Sequence, residues 1–282
     1  MVRHRVAGVQ VHGGSDEDHP VSASEDLATG RALIEAGTPV AGSMSRAAAT
    51  VVFDPGAAAV QVDDRFAAAL RTVATDAATI PVVRERVRAG AALAFAVEYA
   101  ATVRRAGRAV RADGFFGERS GHRPAAEEVA EAVVAAARRS TDERRVRHLG
   151  YLLAEAAVSP DVDAELVGRA LRVAESLNWR QLALLAGVGR RDRVPLPMAP
   201  LEDDPRAWTA WGAREDVADL QRAGLLDPPV AQPRPGSVLP RLRMADLRLT
   251  RRGVLVHRLL VLDLLHNDAV SAALADLGLP RS

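Results

Sequence analysis

The sequence predicts a mainly α-helical chain, a helical bundle followed by a smaller segment that mixes helices with strand. Three observations carry this expectation. Apolar residues fill 48% of the 282 positions while aromatics fill only 4%, so the core must be made of small side chains, which suits closely packed helices. From Asp63 onward apolar residues recur at helical spacing between caps, glycines and prolines. Strand-like patterning is confined to short stretches. The chain divides into residues 1–62, a weakly ordered segment with a short helix and a hairpin, 63–176, an Ala-rich helical domain, and 177–282, a second domain closed by C-terminal helices.

The elements follow in order. Residues 1–45 mix Gly, Ser, Asp and His, and only Glu25–Ala36 reads as a helix, ending at Gly37. Thr50–Phe53 and Val60–Val62 flank Asp54-Pro55-Gly56, the pattern of a hairpin. Asp63 caps a helix running to about Ala78. Pro81 suits the first turn of a second helix that reaches about Ala106, before Gly107. The middle of that helix (Ala91, Leu93, Phe95, Val97, Ala100, Val103) is apolar on nearly every face, which marks a central position. The pattern breaks at Asp113–Gly117, and Pro124 opens a helix to about Arg139. Ser140-Thr141-Asp142-Glu143 reads as a capping box with Ser140 at the cap, and the helix it opens ends before Ser159-Pro160.

Asp161 or Asp163 caps the next helix, to Leu177. Asn178-Trp179-Arg180-Gln181 is a second capping box, opening a helix to about Ala186. A Pro-rich connection covers Arg193–Pro205. Trp208–Ala223 is helical and stopped by Gly224. After a second Pro-rich stretch, 227–240, Leu242–Leu249 alternates like a strand. Thr250 caps a helix to about Leu265, and Asp268–Leu277 makes a last one before Gly278.

All 37 basic residues are Arg, and Cys is missing as well. Lysine Schiff bases, a P-loop lysine, disulfides and thiolate metal sites are thereby excluded. Arginine alone still serves phosphate and carboxylate recognition. Met1–Gln10 has no apolar h-region, and the longest nearly apolar run, Ala89–Val103, is too short for a bilayer and contains Glu98. A cytoplasmic protein without a membrane partner is expected.

No catalytic, cofactor or metal motif stands out. Gly187-Val188-Gly189-Arg190-Arg191-Asp192 lacks the third glycine and the preceding strand of a dinucleotide loop. Gly117-Glu118-Arg119-Ser120-Gly121 holds its serine one place too late for a nucleophile elbow. His4, His12 and His19 fit no metal-ligand spacing. His257 and His266 do not share a helix face, and His148 stands among Arg144, Arg145 and Arg147, on an expected solvated face. Glu98 either lies at an exposed edge of its helix or pairs with an arginine. As a general acid it has no second carboxylate at a matching spacing. Phe115 and Phe116 form either a plug folded onto the helical core or an exposed anchor for a partner protein.

Two sets of strings in the second half carry resemblances. Leu177–Leu185 resembles the first helix of a winged-helix domain. Asp216–Leu226 resembles the end of its recognition helix, and Leu247–Gly253 resembles the second wing strand with the helix after it. These pieces occur in this order in MarR-type regulators, so residues 177–265 are expected to be a winged-helix-like α+β segment. The middle helix would fall near 190–205, where several prolines stand. The recognition helix and its approach are acidic (Glu202, Asp203, Asp204, Glu215, Asp216, Asp219), which repels phosphate. The wing is basic: Arg234, Arg241, Arg243, Arg248, Arg251, Arg252 and Arg258 stand against Asp246 alone between 234 and 258. Over residues 84–265, Gly150-Tyr151-Leu152-Leu153-Ala154-Glu155, the Leu177–Leu182 string, Gly224-Leu225-Leu226 and Leu249-Thr250-Arg251-Arg252-Gly253 also resemble bacterial abortive-infection alpha-type proteins. That resemblance implies phage defence or regulation without an enzymatic site.

The expected function is non-enzymatic and regulatory or phage-defence-type. It needs no cofactor or metal and works by binding a protein partner or a second copy of the chain. The alternative is a DNA-binding transcriptional regulator. The candidate nucleic-acid contacts are Arg241, Arg243, Arg248, Arg251 and Arg252, which could instead be paired with the acidic helix beside them. The candidate partner anchors are Phe115 and Phe116.

Overall fold

The computed structural model describes residues 23–42, 49–50, 52–53, 62–118, 121–202, 205–228 and 241–278. The chain is mainly helical. Its first part holds α1 (Ala23–Ala41), α2 (Asp64–Ala78), α3 (Val83–Arg105), α4 (Ala125–Arg139), α5 (Glu143–Ala157) and α6 (Ala164–Ser176). Helix α3 is the axis, and α1, α2, α4 and α5 all lie against it. Its residues from Ala89 to Ala101 are buried except Glu98, as an all-round apolar helix requires. Glu98 is half-buried at the edge of the helix.

Small side chains set the spacing of the bundle. At the α1–α3 crossing a Cβ on Gly37 would lie 2.1 Å from the Ala91 amide nitrogen, and one on Gly90 would lie 2.1 Å from the Leu33 carbonyl oxygen. The two backbones touch. This corrects the expected helix end at Gly37. Helix α1 continues to Ala41 through Gly37 and Pro39, because Gly37 serves close approach and not a cap. The hairpin is also corrected: Ala49, Thr50, Val52 and Phe53 are helical. Its second arm at Val60 and Gln61 lies outside the described residues.

Caps follow local chemistry. The Asp63, Asp163, Asn178 and Thr250 side chains each accept a first-turn backbone N–H, and Asn178 with Gln181 completes the expected box. The box at Ser140 is corrected. Asp142 caps α5 by accepting from the Arg144 N–H, while Ser140 ends α4 and donates its hydroxyl to the Asp142 carbonyl. A carboxylate two places nearer the helix wins that competition.

The second part holds α7 (Trp179–Gly189), α8 (Trp208–Arg222), α9 (Arg251–Leu259), α10 (Asn267–Ala275) and two short strands, β1 (Leu226–Asp227) and β2 (Arg248–Leu249). The strands pair antiparallel, with Leu226 opposite Leu249. The strand expected over Leu242–Leu249 is thus shortened to its last two residues. Met244–Asp246 is a 3-10 turn, and Arg243 makes one isolated bridge to Pro200. The helix from Thr250 also stops early: Val261 takes a left-handed backbone (φ 50°) and breaks it before a 3-10 turn at Leu262–Leu264. No helix lies in the described residues of 194–207. Helix α9 packs on α5, α6 and α7, and buried apolar side chains run as one cluster from Leu33 to Leu277. Among the described residues no helix is long and apolar enough to cross a membrane.

Candidate functional site

Apart from those paired with carboxylates, such as Arg180, Arg193, Arg222 and Arg258, the arginines of the second part sort into two groups by what their guanidiniums meet. The first group holds backbone. Arg190 is buried and donates to the Leu265 carbonyl at 2.8 Å and to Ala186, Asp263 and Asn267. Arg191 donates to the Leu247 and Ala245 carbonyls at 2.9 and 3.2 Å. Arg248 turns back onto the Ala245 and Leu247 carbonyls at 2.7 and 2.8 Å, and Arg252 reaches the Ala223 carbonyl at 3.0 Å. Such bonds satisfy carbonyls that irregular chain leaves without ladder partners.

The second group faces water. Arg241 and Arg251 are exposed and make no hydrogen bond or ion pair among the described residues, and Arg243 meets only Asp246, at 3.9 Å. The five expected contacts are all exposed and differ in what their guanidiniums meet. Arg248 is drawn to its own backbone, Arg252 is held at one N–H, and Arg251 stands open. Nor does the acidic helix neutralise them. In α8, Glu215 and Asp219 pair with Arg222 of the same helix. Asp216 is buried and accepts from Asn178 at 2.8 Å and Arg180 at 2.5 Å. Arg234 lies outside the described residues.

Arg251 faces a groove of about 900 Å³ between α6 and α9. Spacing on α6 builds one wall: Leu166, Arg169, Ala170 and Val173 share a face. The N-terminal half of α9, with Arg251, Val254 and Leu255, builds the other. The end at the α6 N-terminus and the α9 C-terminus is charge-balanced, because Arg169 pairs with Glu165 and Arg258 grips Asp161 through two N–H groups at 2.5 and 2.8 Å. The other end, toward the α6 C-terminus and the α9 N-terminus, is not. Arg172 and Arg251 have no carboxylate partner among the described residues, and Arg252 has only its carbonyl. Between them Leu166 is 37% and Val254 52% exposed.

Beneath the groove Arg258 reaches a buried carboxylate. Glu155 of α5 accepts from both Arg108 guanidinium nitrogens at 2.7 and 2.8 Å, from Ser159 at 3.1 Å and from the Tyr99 hydroxyl at 3.2 Å, with Arg258 at 3.5 Å. Burial first and the Glu155 charge second push the Tyr99 phenol above its ordinary range. Every Glu155 lone pair is engaged, so this cluster ties α3, α5 and α9 together and leaves no carboxylate oxygen open for proton transfer. A smaller cavity of about 320 Å³ beside it is lined by Asp63, Arg65, Arg104 and Arg108. Asp63 is committed there to its helix cap and to Arg65.

The histidines divide as well. His148 is corrected from a solvated face to the core. It is buried, its Nδ1 lies 2.8 Å from the Leu260 carbonyl, and its ring meets Tyr151 and Trp179. Burial pushes its pKa down to about 4. His257 is buried against Gly189, and burial lowers its pKa too. His266 is exposed and caps α10. His4, His12 and His19 lie outside the described residues. Among the described residues no three His, Asp or Glu side chains are grouped to hold a metal.

Phe115 is corrected as an anchor: it is buried under the Arg111 guanidinium, 4.5 Å from its ring centroid. Phe116 is half-buried against the core, with Arg65 over its ring. Sequence reasoning missed Trp208 and Trp211, which stand 84% and 45% exposed at the start of α8 with ring centroids 6.0 Å apart. Their signal was spacing. Ala210, Ala213 and Val217 take the buried face of α8, which turns Trp208 and Trp211 outward. No protein-family model, no curated protein and no solved structure matches the chain.

Proposed function

We propose that this protein works by binding a partner and not by catalysis, in a regulatory or phage-defence-type role, through the arginine-bearing surface around α9. The observation that carries the reading is the α6–α9 groove. Arg172 and Arg251 stand there without carboxylate partners among the described residues, beside uncovered Leu166 and Val254. Unpaired guanidiniums next to exposed apolar side chains are what an interface contributes before its partner arrives. The winged-helix reading of 177–265 belongs to the same proposal. Helices α7 and α8, the β1–β2 pair and α9 follow in the order of that fold, and the described residues of 194–207, where the middle helix would fall, are not helical. The Ala-rich bundle would serve as scaffold or as an oligomerisation surface.

A photocrosslinker at position 254 tests the reading in cells. A discrete adduct is expected, and charge reversal at Arg172 and Arg251 should remove it. No adduct, or one indifferent to that reversal, contradicts the reading. The second reading, DNA binding by the wing, is favoured by the open Arg241 and Arg251 side chains. It expects a salt-dependent gel shift whose salt slope falls by about one for each phosphate-contacting arginine removed, in Arg241→Ala with Arg251→Ala.

A further inference from the structure

We infer that the groove between α6 and α9 receives an acidic amphipathic helix of a partner protein. The inference rests on the partner-binding reading above and names its occupant. Three features select this class. The first is charge. Arg172, Arg251 and Arg252 present three guanidiniums with no carboxylate partner among the described residues, while the nearby acids are committed, Glu165 to Arg169 and Asp161 to Arg258. Carboxylates are the missing complement.

The second is the apolar strip. Leu166 and Val254 stand uncovered on the groove's two walls, above Val173 and Leu255. A nucleic-acid backbone would pair with the arginines and leave this strip wet. A helix with apolar residues at i, i+3, i+4 and i+7 covers the strip and carries acids along its flanks. The third is length. The α6 wall has 13 residues and α9 nine, about 20 and 14 Å at helical rise, so the two walls flank two to three turns of a docked helix. A groove of about 900 Å³ admits the side chains of one helix face.

Fluorescence anisotropy on the full chain tests this with three labelled probes. One is a 16-residue helical peptide with leucines at that spacing and glutamates on both flanks, the second is the same peptide with glutamine for glutamate, and the third is a 16-base-pair DNA duplex. The acidic peptide should bind at least about tenfold more tightly than the glutamine peptide. It should lose at least about tenfold on Arg172→Glu with Arg251→Glu, and again on Val254→Asp. Both arginines are exposed, and Arg251 opens α9, where an acidic residue suits the helix N-terminus, so the variants should fold. Equal binding of the two peptides overturns the inference, as does acidic-peptide binding untouched by the reversals. Preference for the duplex overturns it as well. If the position-254 adduct persists while the peptide fails, the occupant is wrong and partner binding stands. Loss of both removes both.

Discussion

Helix α3 and helix α9 hold their neighbours by different means. The first is 23 residues long, with alanine and glycine on most of its buried face, and α1 comes so near that backbone meets backbone at Gly37 and Gly90. The second has nine residues, four of them Arg or His, and sits in chain with little ladder hydrogen bonding. Around α9 the chain is fastened by arginine N–H groups on carbonyls, from Arg190, Arg191, Arg248 and Arg252, and by the Arg258 link to Glu155 and Asp161. A helix crossing built on glycine and alanine gains from dispersion at short distance. An irregular segment must satisfy its carbonyls some other way, and an all-arginine chain does so with guanidiniums. Arginine is thus ordinary building material in the second part, and arginines that hold nothing, such as Arg251 there and Arg172 across the groove on α6, are the ones to explain by function.

The comparison breaks first at the α1–α3 crossing. Gly90→Leu puts a branched side chain where the Leu33 carbonyl stands, and should cost about 4 kcal/mol or more in urea unfolding. A variant of native stability would show that the two backbones do not touch.

Acid comes next. His148 has a folded pKa near 4 against an ordinary 6.5. As pH falls below about 6.5 the unfolded chain takes up a proton that the folded chain refuses. Stability is therefore full above that pH and declines until about 4, by roughly 3 kcal/mol for a shift of this size. His257, with Asp263, Arg190 and Arg193 around it, is also lowered and acts in the same direction. A flat profile between pH 7 and 4 would place these rings in water, and His148→Gln should keep only the His257 share of the slope.

Glu155→Ala comes third, at about 2 kcal/mol. That is less than for a fully buried pair, because Arg108 and Arg258 keep 39% and 40% of their side-chain surface exposed and are partly screened by water. Its hydrogen exchange should quicken in α9 before α3, since Arg258 is the α9 end of the cluster. Uniform quickening would mean that Glu155 serves the bundle alone.

What the sequence disclosed follows from the range of each interaction. Asp63, Asp163, Asn178 and Thr250 were legible as caps because a cap and its N–H lie within three residues. The burial of α3 was legible because its apolar residues cover every face. Gly37 misled because a cap and a close approach ask for the same residue, and only the position of Gly90 decides between them. His148 misled because Arg144 and Arg145, one turn back on the same side of α5, carry their guanidiniums out over Trp179 and onto the Ala174 and Glu175 carbonyls while the imidazole stays buried, and sequence proximity does not separate the two cases. The groove was half visible. Arg251 and Arg252 stood out as basic, but Arg172 and Leu166 lie some eighty residues away on α6, and no local pattern brings them together. Whether an arginine holds a carbonyl or faces water is likewise a property of the folded chain.

The smallest stability effect belongs to the groove arginines themselves. Arg172→Glu with Arg251→Glu should move the urea midpoint by no more than about 0.5 kcal/mol in stability, because neither side chain holds another part of the described chain. The most direct measurement combines that unfolding curve with titration of the labelled acidic helix against the same variant. The prediction is unchanged stability with binding weakened at least about tenfold. Binding equal to that of the unaltered chain would contradict a functional groove, and so would a weakening matched by an equal loss of fold.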